Sequence, residues 1–267
     1  MESGLFQMIV DQVDIMPEQF IITRLNIHAL QSEGGGLDSA NVYLDILGNI
    51  PSRQPLRSTL DSKVLPPYSL PVLKAHQISC HRGLRLLLDG VSLAAAAGEA
   101  VWLMGPNGVG KSTLLRVLAG LQKPLSGNLQ NNVPFLYLGA EPGFDPALTL
   151  HDNLHWFAGL HGVAADGISS AVEELKITSA LHLPFQNLSR GQQQRASLAR
   201  LLIVPRPLWL LDEPLAHLDA DGRALALRLI DTHLRQGGAV IAATHDIVEM
   251  NGARTFHLSG ARLEAAA

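Results

Sequence analysis

LMGPNGVGKST, running from Leu103 to Thr113, is the stretch on which the fold turns. It fits G-x-x-x-x-G-K-[ST] between Gly105 and Ser112, with an apolar strand before it and a helical pattern after it. Glycines in such a loop let successive backbone N–H groups turn onto a polyphosphate, and the helix that follows adds the partial positive charge of its N-terminus. Gly105, Pro106, Asn107, Gly108, Val109, Gly110, Lys111, Ser112 and Thr113 therefore form one candidate phosphate site. Within it Lys111 is placed to reach the β- and γ-phosphates, and the Ser112 hydroxyl is a candidate ligand for Mg²⁺. A plain flexible turn before a helix would explain the glycines but not the Lys-Ser pair at the helix start.

Outward from this loop the chain alternates between strand and helix patterns. VLKAHQIS and RLLLDGVSL read as two strands joined through HRG at 81–83, and AVWLMG as a third that enters the loop. KSTLLRVLAGL carries Leu114, Leu115, Leu118 and Leu121 at helical spacing, with Gly120 near the stop. VPFLYLG, PLWLLDE and AVIAAT are further apolar strands, and TFHLSGARL reads as a terminal hairpin. Between the last two apolar strands, DGRALALRLIDTHLRQGG is a helix with Leu227, Ile230 and Leu234 on one face. Pro146 to Arg200 is mainly helical, which predicts a helical subdomain inserted into a sheet-based core. Strands alternating with helices around a phosphate loop predict an α/β fold with a mostly parallel sheet. No internal repeat is visible, so one nucleotide-binding domain is expected.

A second signal converges on the first. In LWLLDE an uncharged strand ends in Asp212 and Glu213, two carboxylates that would alternate sides of an extended chain. Two acids at a strand end are often no more than a solvated edge. With a phosphate loop upstream, Asp212 becomes the candidate Mg²⁺ ligand and Glu213 the candidate base that polarises an attacking water.

LSRGQQQR at 188–195, lying between the phosphate loop and the LLDEP strand, resembles the signature motif of ATP-binding-cassette (ABC) ATPases, and the resemblance covers about residues 73–267. It implies a P-loop NTPase core of the ABC ATPase type, α/β in class, with an inserted helical subdomain and an N-terminal antiparallel β subdomain. It also implies a head-to-tail homodimer that sandwiches two ATP molecules, each held by one subunit's phosphate loop and the other's signature. Ser189, Gly191 and Gln192 would then contact the nucleotide across the interface, at a helix N-terminus. Taken alone, LSRGQ would be an ordinary helix cap on Ser189. Asp219, in LAHLD, matches the residue that couples the two sites, and His245 matches the switch histidine that contacts the γ-phosphate.

Three positions depart from that family pattern. Arg190 stands where Gly is usual in the signature. Arg82 stands where an aromatic ring usually stacks on adenine, a role that a guanidinium plane can also fill. Glu141, after FLYLG, stands where a glutamine usually contacts Mg²⁺ and the attacking water. A carboxylate can still ligate the metal, although its charge would oppose the γ-phosphate.

Within the family, CHRGLRLLLDGVSLAAAAGEAVWLMGPNGVGKSTLLRVLAGL and FLYLGAEPGFDPALTLHDNLHWFAGLHG resemble the ATP-binding subunit of the cytochrome c maturation system, the haem exporter ATPases. That resemblance implies integral membrane partner subunits, a peripheral location on the cytoplasmic face of the bacterial inner membrane, and ATP hydrolysis coupled to release of a haem-loaded periplasmic chaperone. No direct haem binding by this chain is expected, since it has no Cys-x-x-Cys-His. Two alternatives stand beside it: the ATPase of another ABC importer or exporter, and a soluble ABC-type ATPase acting on DNA or ribosomes.

Composition narrows these choices. Of 267 residues 47% are hydrophobic, enough for a sizeable core, and the net charge of −4 with no Lys/Arg cluster gives no footprint for nucleic acid. The single cysteine, Cys80, excludes an internal disulfide and a multi-cysteine metal site, as expected of a reducing cytoplasm. No run approaches the roughly 18 apolar residues of a membrane span. Residues 1–72, with EGGG at 33–36 and five prolines between Pro51 and Pro71, are expected to be a poorly ordered extension or the product of a start set too far upstream. Residues 73–267 are expected to be the nucleotide-binding domain.

Overall fold

The computed structural model describes residues 71–246, 248, 250, 252–259 and 261–265, all within one unit of the chain, Val64–Ala267. The expectation for residues 1–72 thus lies outside the described residues except at Pro71 and Val72. Val72 is buried, its N–H donating to Ala95 O at 2.8 Å and its carbonyl accepting from Asn132 N at 3.0 Å.

In chain order the elements are β1 (Leu73–Arg82), β2 (Arg85–Ala95), β3 (Ala100–Met104), α1 (Lys111–Leu118), β4 (Ser126–Asn131) and β5 (Phe135–Leu138). Three helices follow, α2 (Leu150–Leu160), α3 (Ile168–Glu174) and α4 (Arg190–Ile203). The chain then returns to the sheet through β6 (Leu208–Asp212), α5 (Ala220–Arg235), β7 (Ala239–Ala243), β8 (Arg254–Ser259) and β9 (Arg262–Ala265). Two sheets result: an antiparallel one of order β2-β1-β4, and a six-stranded one of order β5-β6-β7-β3-β8-β9. In the larger sheet only the β8–β9 pair is antiparallel.

The larger sheet is buried on both faces, which is why its central strands read as unbroken apolar runs. All five residues of β6 and of β7 are buried. Successive side chains alternate between two cores. Trp102, Trp209, Leu211, Val240 and Ala242 pack with the helices α2 to α5, while Val101, Leu103, Leu208, Leu210 and Ile241 pack with α1 and the antiparallel sheet. The helical segment between β5 and β6 begins where Thr149 caps α2, its hydroxyl accepting from Asp152 N at 3.1 Å, and where a bridge pairs Thr149 with Pro184.

Two elements differ from the pattern reading. SGNLQN forms β4 although it carries Gly and two Asn, because its backbone pairs along the free edge of β1 and needs little side-chain burial to do so. On α5 the buried stripe is Leu225, Ala226, Leu229, Ile230 and His233, with Leu227 and Leu234 only partly buried at its margin. A core histidine shifts that stripe: the His233 ring stacks on Trp209 with centroids 3.6 Å apart and planes 4° from parallel. An apolar count passes over such a residue.

Candidate active site

β3 delivers the chain to the loop 105–110, and the loop delivers it to α1. Gly105 has φ 143°, and a Cβ there would lie 2.5 Å from Leu258 O on β8, so the loop can sit this close to the sheet only with glycine. Gly110, at φ 120°, begins α1 without a side-chain cap, so no side chain of the capping residue occupies the helix's first N–H groups. Lys111 opens the helix and is buried. Its ammonium donates to Gly105 O at 2.6 Å and Pro106 O at 3.3 Å, and stands 3.8 Å from Glu213 Oε1.

Two strands away, β6 ends on Asp212. Its side chain is buried, and among the described residues Oδ1 has no hydrogen-bond partner. Burial pushes the Asp212 carboxyl above the ordinary range; the Ser112 hydroxyl beside it acts in the opposite direction, Glu213 adds to the rise, and Lys111 and Arg116 oppose it. Nearby, burial and then Asp212 raise the Tyr137 phenol to about 12.

Alternation along an extended strand is not what separates Asp212 from Glu213. The strand stops at Asp212, and Glu213 turns in the left-handed region at φ 51°. Its N–H donates to Ala243 O at 2.9 Å, which holds the turn against β7. The carboxylate then meets His245, with Oε2 2.9 Å from Nδ1. His245 is half-exposed, and Asp246 beside it is held by Arg223 at 2.5 Å.

The fold thus gathers the loop, Lys111, Ser112, Asp212, Glu213 and His245 at one edge of the parallel sheet. It leaves the other candidates apart. Ser189 and Gln192 close a capping box on α4, with Gln192 N donating to Ser189 Oγ at 3.2 Å and Ser189 N to Gln192 Oε1 at 2.9 Å. Gly191 follows in the same turn. Asp219 caps α5 through Gly222 N at 2.8 Å and accepts from Arg195 at 2.7 Å; the Gly222 N–H and then Arg195 hold its carboxyl below the usual range. Arg82 is exposed at the end of β1, opposite Arg85, and Glu141 is exposed in the bend after β5.

Two side chains that sequence reading did not single out hold these pieces. Gln194 Nε2 donates to Glu213 O at 3.2 Å and to Pro214 O at 2.9 Å. Arg200, buried, donates to Pro142 O at 2.5 Å and lies 4.4 Å from the Phe144 ring and 5.1 Å from the Phe157 ring. Burial lowers its pKa to about 10. Gln194 stands inside the LSRGQQQR motif, but its target is a backbone turn, which leaves no mark in the sequence.

A phosphate loop after the central strand of a parallel sheet, with an acidic strand beside it, defines a P-loop ATPase cassette. The ABC transporter family model matches residues 88–216. The chain is 39% identical over 205 residues to the cytochrome c biogenesis ATP-binding export protein CcmA of Cupriavidus pinatubonensis, covering 72% of this chain and 90% of that one. It is 42% identical over 176 residues to the CcmA of Hyphomonas neptunium, covering 66% and 91%. Among solved structures, an ABC transporter ATP-binding protein from Pyrococcus furiosus superposes with a TM-score of 0.62 at 27% identity, covering 70% of this chain and 96% of that one. The chain belongs to the ABC transporter ATP-binding family, in the group of the CcmA cytochrome c biogenesis ATP-binding export proteins, and is an ATP hydrolase.

Proposed function

We propose that the chain is the ATP-hydrolysing subunit of a membrane ABC complex for cytochrome c biogenesis, and that its ATP turnover powers release of a haem-loaded periplasmic chaperone. The observation that carries this reading is the 39% identity sustained over 90% of the length of a CcmA relative. Among the described residues no helix is long and apolar enough to cross a membrane. On this reading the chain works with integral membrane subunits, from the cytoplasmic face of the inner membrane, as its CcmA relatives suggest.

The site's chemistry supports an in-line attack of water on the γ-phosphorus of ATP. The loop 105–113 wraps the phosphates with backbone N–H groups, and Lys111 leaves its two carbonyl partners for the β- and γ-oxygens. Glu213 is the base for the attacking water, and His245 orients it through the 2.9 Å contact while reaching the γ-phosphate with its other nitrogen. The donor set fits Mg²⁺: Asp212 presents a buried oxygen without a partner among the described residues, with the Ser112 hydroxyl beside it, and Glu141 is the third candidate. Mg²⁺ bound there supplies neutralisation of phosphate charge. A second copy of the chain completes each site with Ser189, Gly191 and Gln192, which sit at the capped start of α4, and with Asp219; Arg82 stacks on the adenine.

Affinity purification from membranes tests the assignment. Recovery with the integral membrane subunits of cytochrome c maturation supports it, and recovery with an unrelated permease or with ribosomes overturns it.

A further inference from the structure

Helix α4 meets the turn after β6 along one face. Gly191, Gln194 and Arg195 stand at i, i+3 and i+4, so their side-chain positions share one side of the helix. Each touches the turn. A Cβ on Gly191 would come within 3.1 Å of His217 O, Gln194 donates to Glu213 O and Pro214 O at 3.2 and 2.9 Å, and Arg195 pairs with Asp219 at 2.7 Å. Within that turn Glu213 and His217 both hold left-handed backbone, at φ 51° and 61°. Residues with a β-carbon stay in that region only where their surroundings hold them.

Glu213 is held at both ends of its peptide framework. Its N–H is fixed by Ala243 O at 2.9 Å, and its carbonyl by Gln194. We propose that Gln194 is a positioning residue for Glu213: its amide fixes the left-handed turn that points the Glu213 carboxylate toward His245 and Lys111. Without that donor the Pro214 carbonyl loses its side-chain partner and the Glu213 carbonyl keeps only the Ala216 N–H at 3.1 Å, so Glu213 relaxes toward an ordinary φ that swings the carboxylate away. The inference rests on Glu213 being the base. In the dimer proposed above, the same helix touches ATP of the second copy with its first turn, so Gln194 ties the base of one site to occupancy of the other.

The test compares ATP hydrolysis by the full chain as wild type, Gln194→Met, Gln194→Lys, Glu213→Gln and the Gln194→Met/Glu213→Gln double variant. Methionine keeps the length and loses the donors; lysine restores a donor of similar reach. Gln194→Met should lower kcat roughly ten- to a hundredfold, the order expected for misplacing a catalytic group by about 1 Å. KM for ATP and Tm should stay unchanged, Gln194→Lys should recover most of the loss, and the double variant should be no slower than Glu213→Gln. A wild-type kcat in Gln194→Met, a loss carried by KM and Tm, no rescue by lysine, or a further loss in the double variant overturns the inference while the base assignment stands. A wild-type rate in Glu213→Gln overturns both.

Discussion

His245 Nδ1 lies 2.9 Å from Glu213 Oε2, which joins the ends of β7 and β6 over the phosphate loop. One carboxylate therefore faces both an imidazole and, at 3.8 Å, the Lys111 ammonium. Replacing Glu213 by Gln keeps the size and hydrogen-bonding reach but removes the basic oxygen. Glu213→Gln should bind ATP normally and hydrolyse it about a hundredfold or more slowly, the range of general-base contributions. His245→Ala should also lose rate with little change in ATP affinity. Single-turnover hydrolysis against nucleotide binding separates the two quantities, and a normal rate in Glu213→Gln would move the base role elsewhere.

Lys111 spends its ammonium on two loop carbonyls at 2.6 and 3.3 Å. Lys111→Ala removes both that bracing and the charge for the phosphates. ATP binding or hydrolysis should be abolished, as read by nucleotide titration and phosphate release. Turnover at the wild-type level would sink the phosphate-loop assignment.

Glu141 is exposed and sits in the bend that Arg200 anchors through Pro142 O. In the proposed site a carboxylate there adds negative charge near the γ-phosphate, so Glu141→Gln should leave the hydrolysis rate unchanged or raise it a fewfold at saturating Mg²⁺. A loss of tenfold or more, measured as steady-state kcat, would assign the carboxylate a role that an amide does not fill.

His233 lies buried against Trp209, and burial lowers its pKa from 6.5 to about 4. The unfolded chain takes up the proton first as pH falls, so the contribution to stability is complete above pH 6.5 and is lost between there and about pH 4. At 1.36 kcal/mol per unit this amounts to about 3 kcal/mol at most. His161, also lowered to about 4 by burial and then by Arg206 and Arg200, acts in the same direction and window. In thermal melts from pH 7.5 to 4 the Tm of wild type should fall relative to that of His233→Phe; parallel curves would mean His233 does not titrate in the transition.

How much of this was legible in the sequence depends on what kind of contact holds each piece. The loop at 105–113 and the strand ending in Asp212 are written in residue type and spacing, because a phosphate cradle needs glycines and a buried strand needs apolar side chains. Their meeting in space follows from the parallel order β6-β7-β3. Gln194 and Arg200 were not legible, since their partners are the carbonyls of Glu213, Pro214 and Pro142, which every residue carries alike. The left-handed turn at Glu213 was hidden for a related reason: nothing in LLDEP asks for it, and it is held by contacts from β7 and α4. β4 escaped because backbone pairing, rather than a hydrophobic face, makes it a strand.

The stack of Trp209 on His233 has an optical consequence. An imidazolium held 3.6 Å from an indole face quenches its emission, whereas a neutral imidazole does so far less. Of the three tryptophans, only Trp209 carries such a neighbour among the described residues. The chain therefore contains its own light-emitting gauge: a fall in fluorescence near pH 4, without a change in circular dichroism, would report the proton entering the α5–β6 core before the fold gives way.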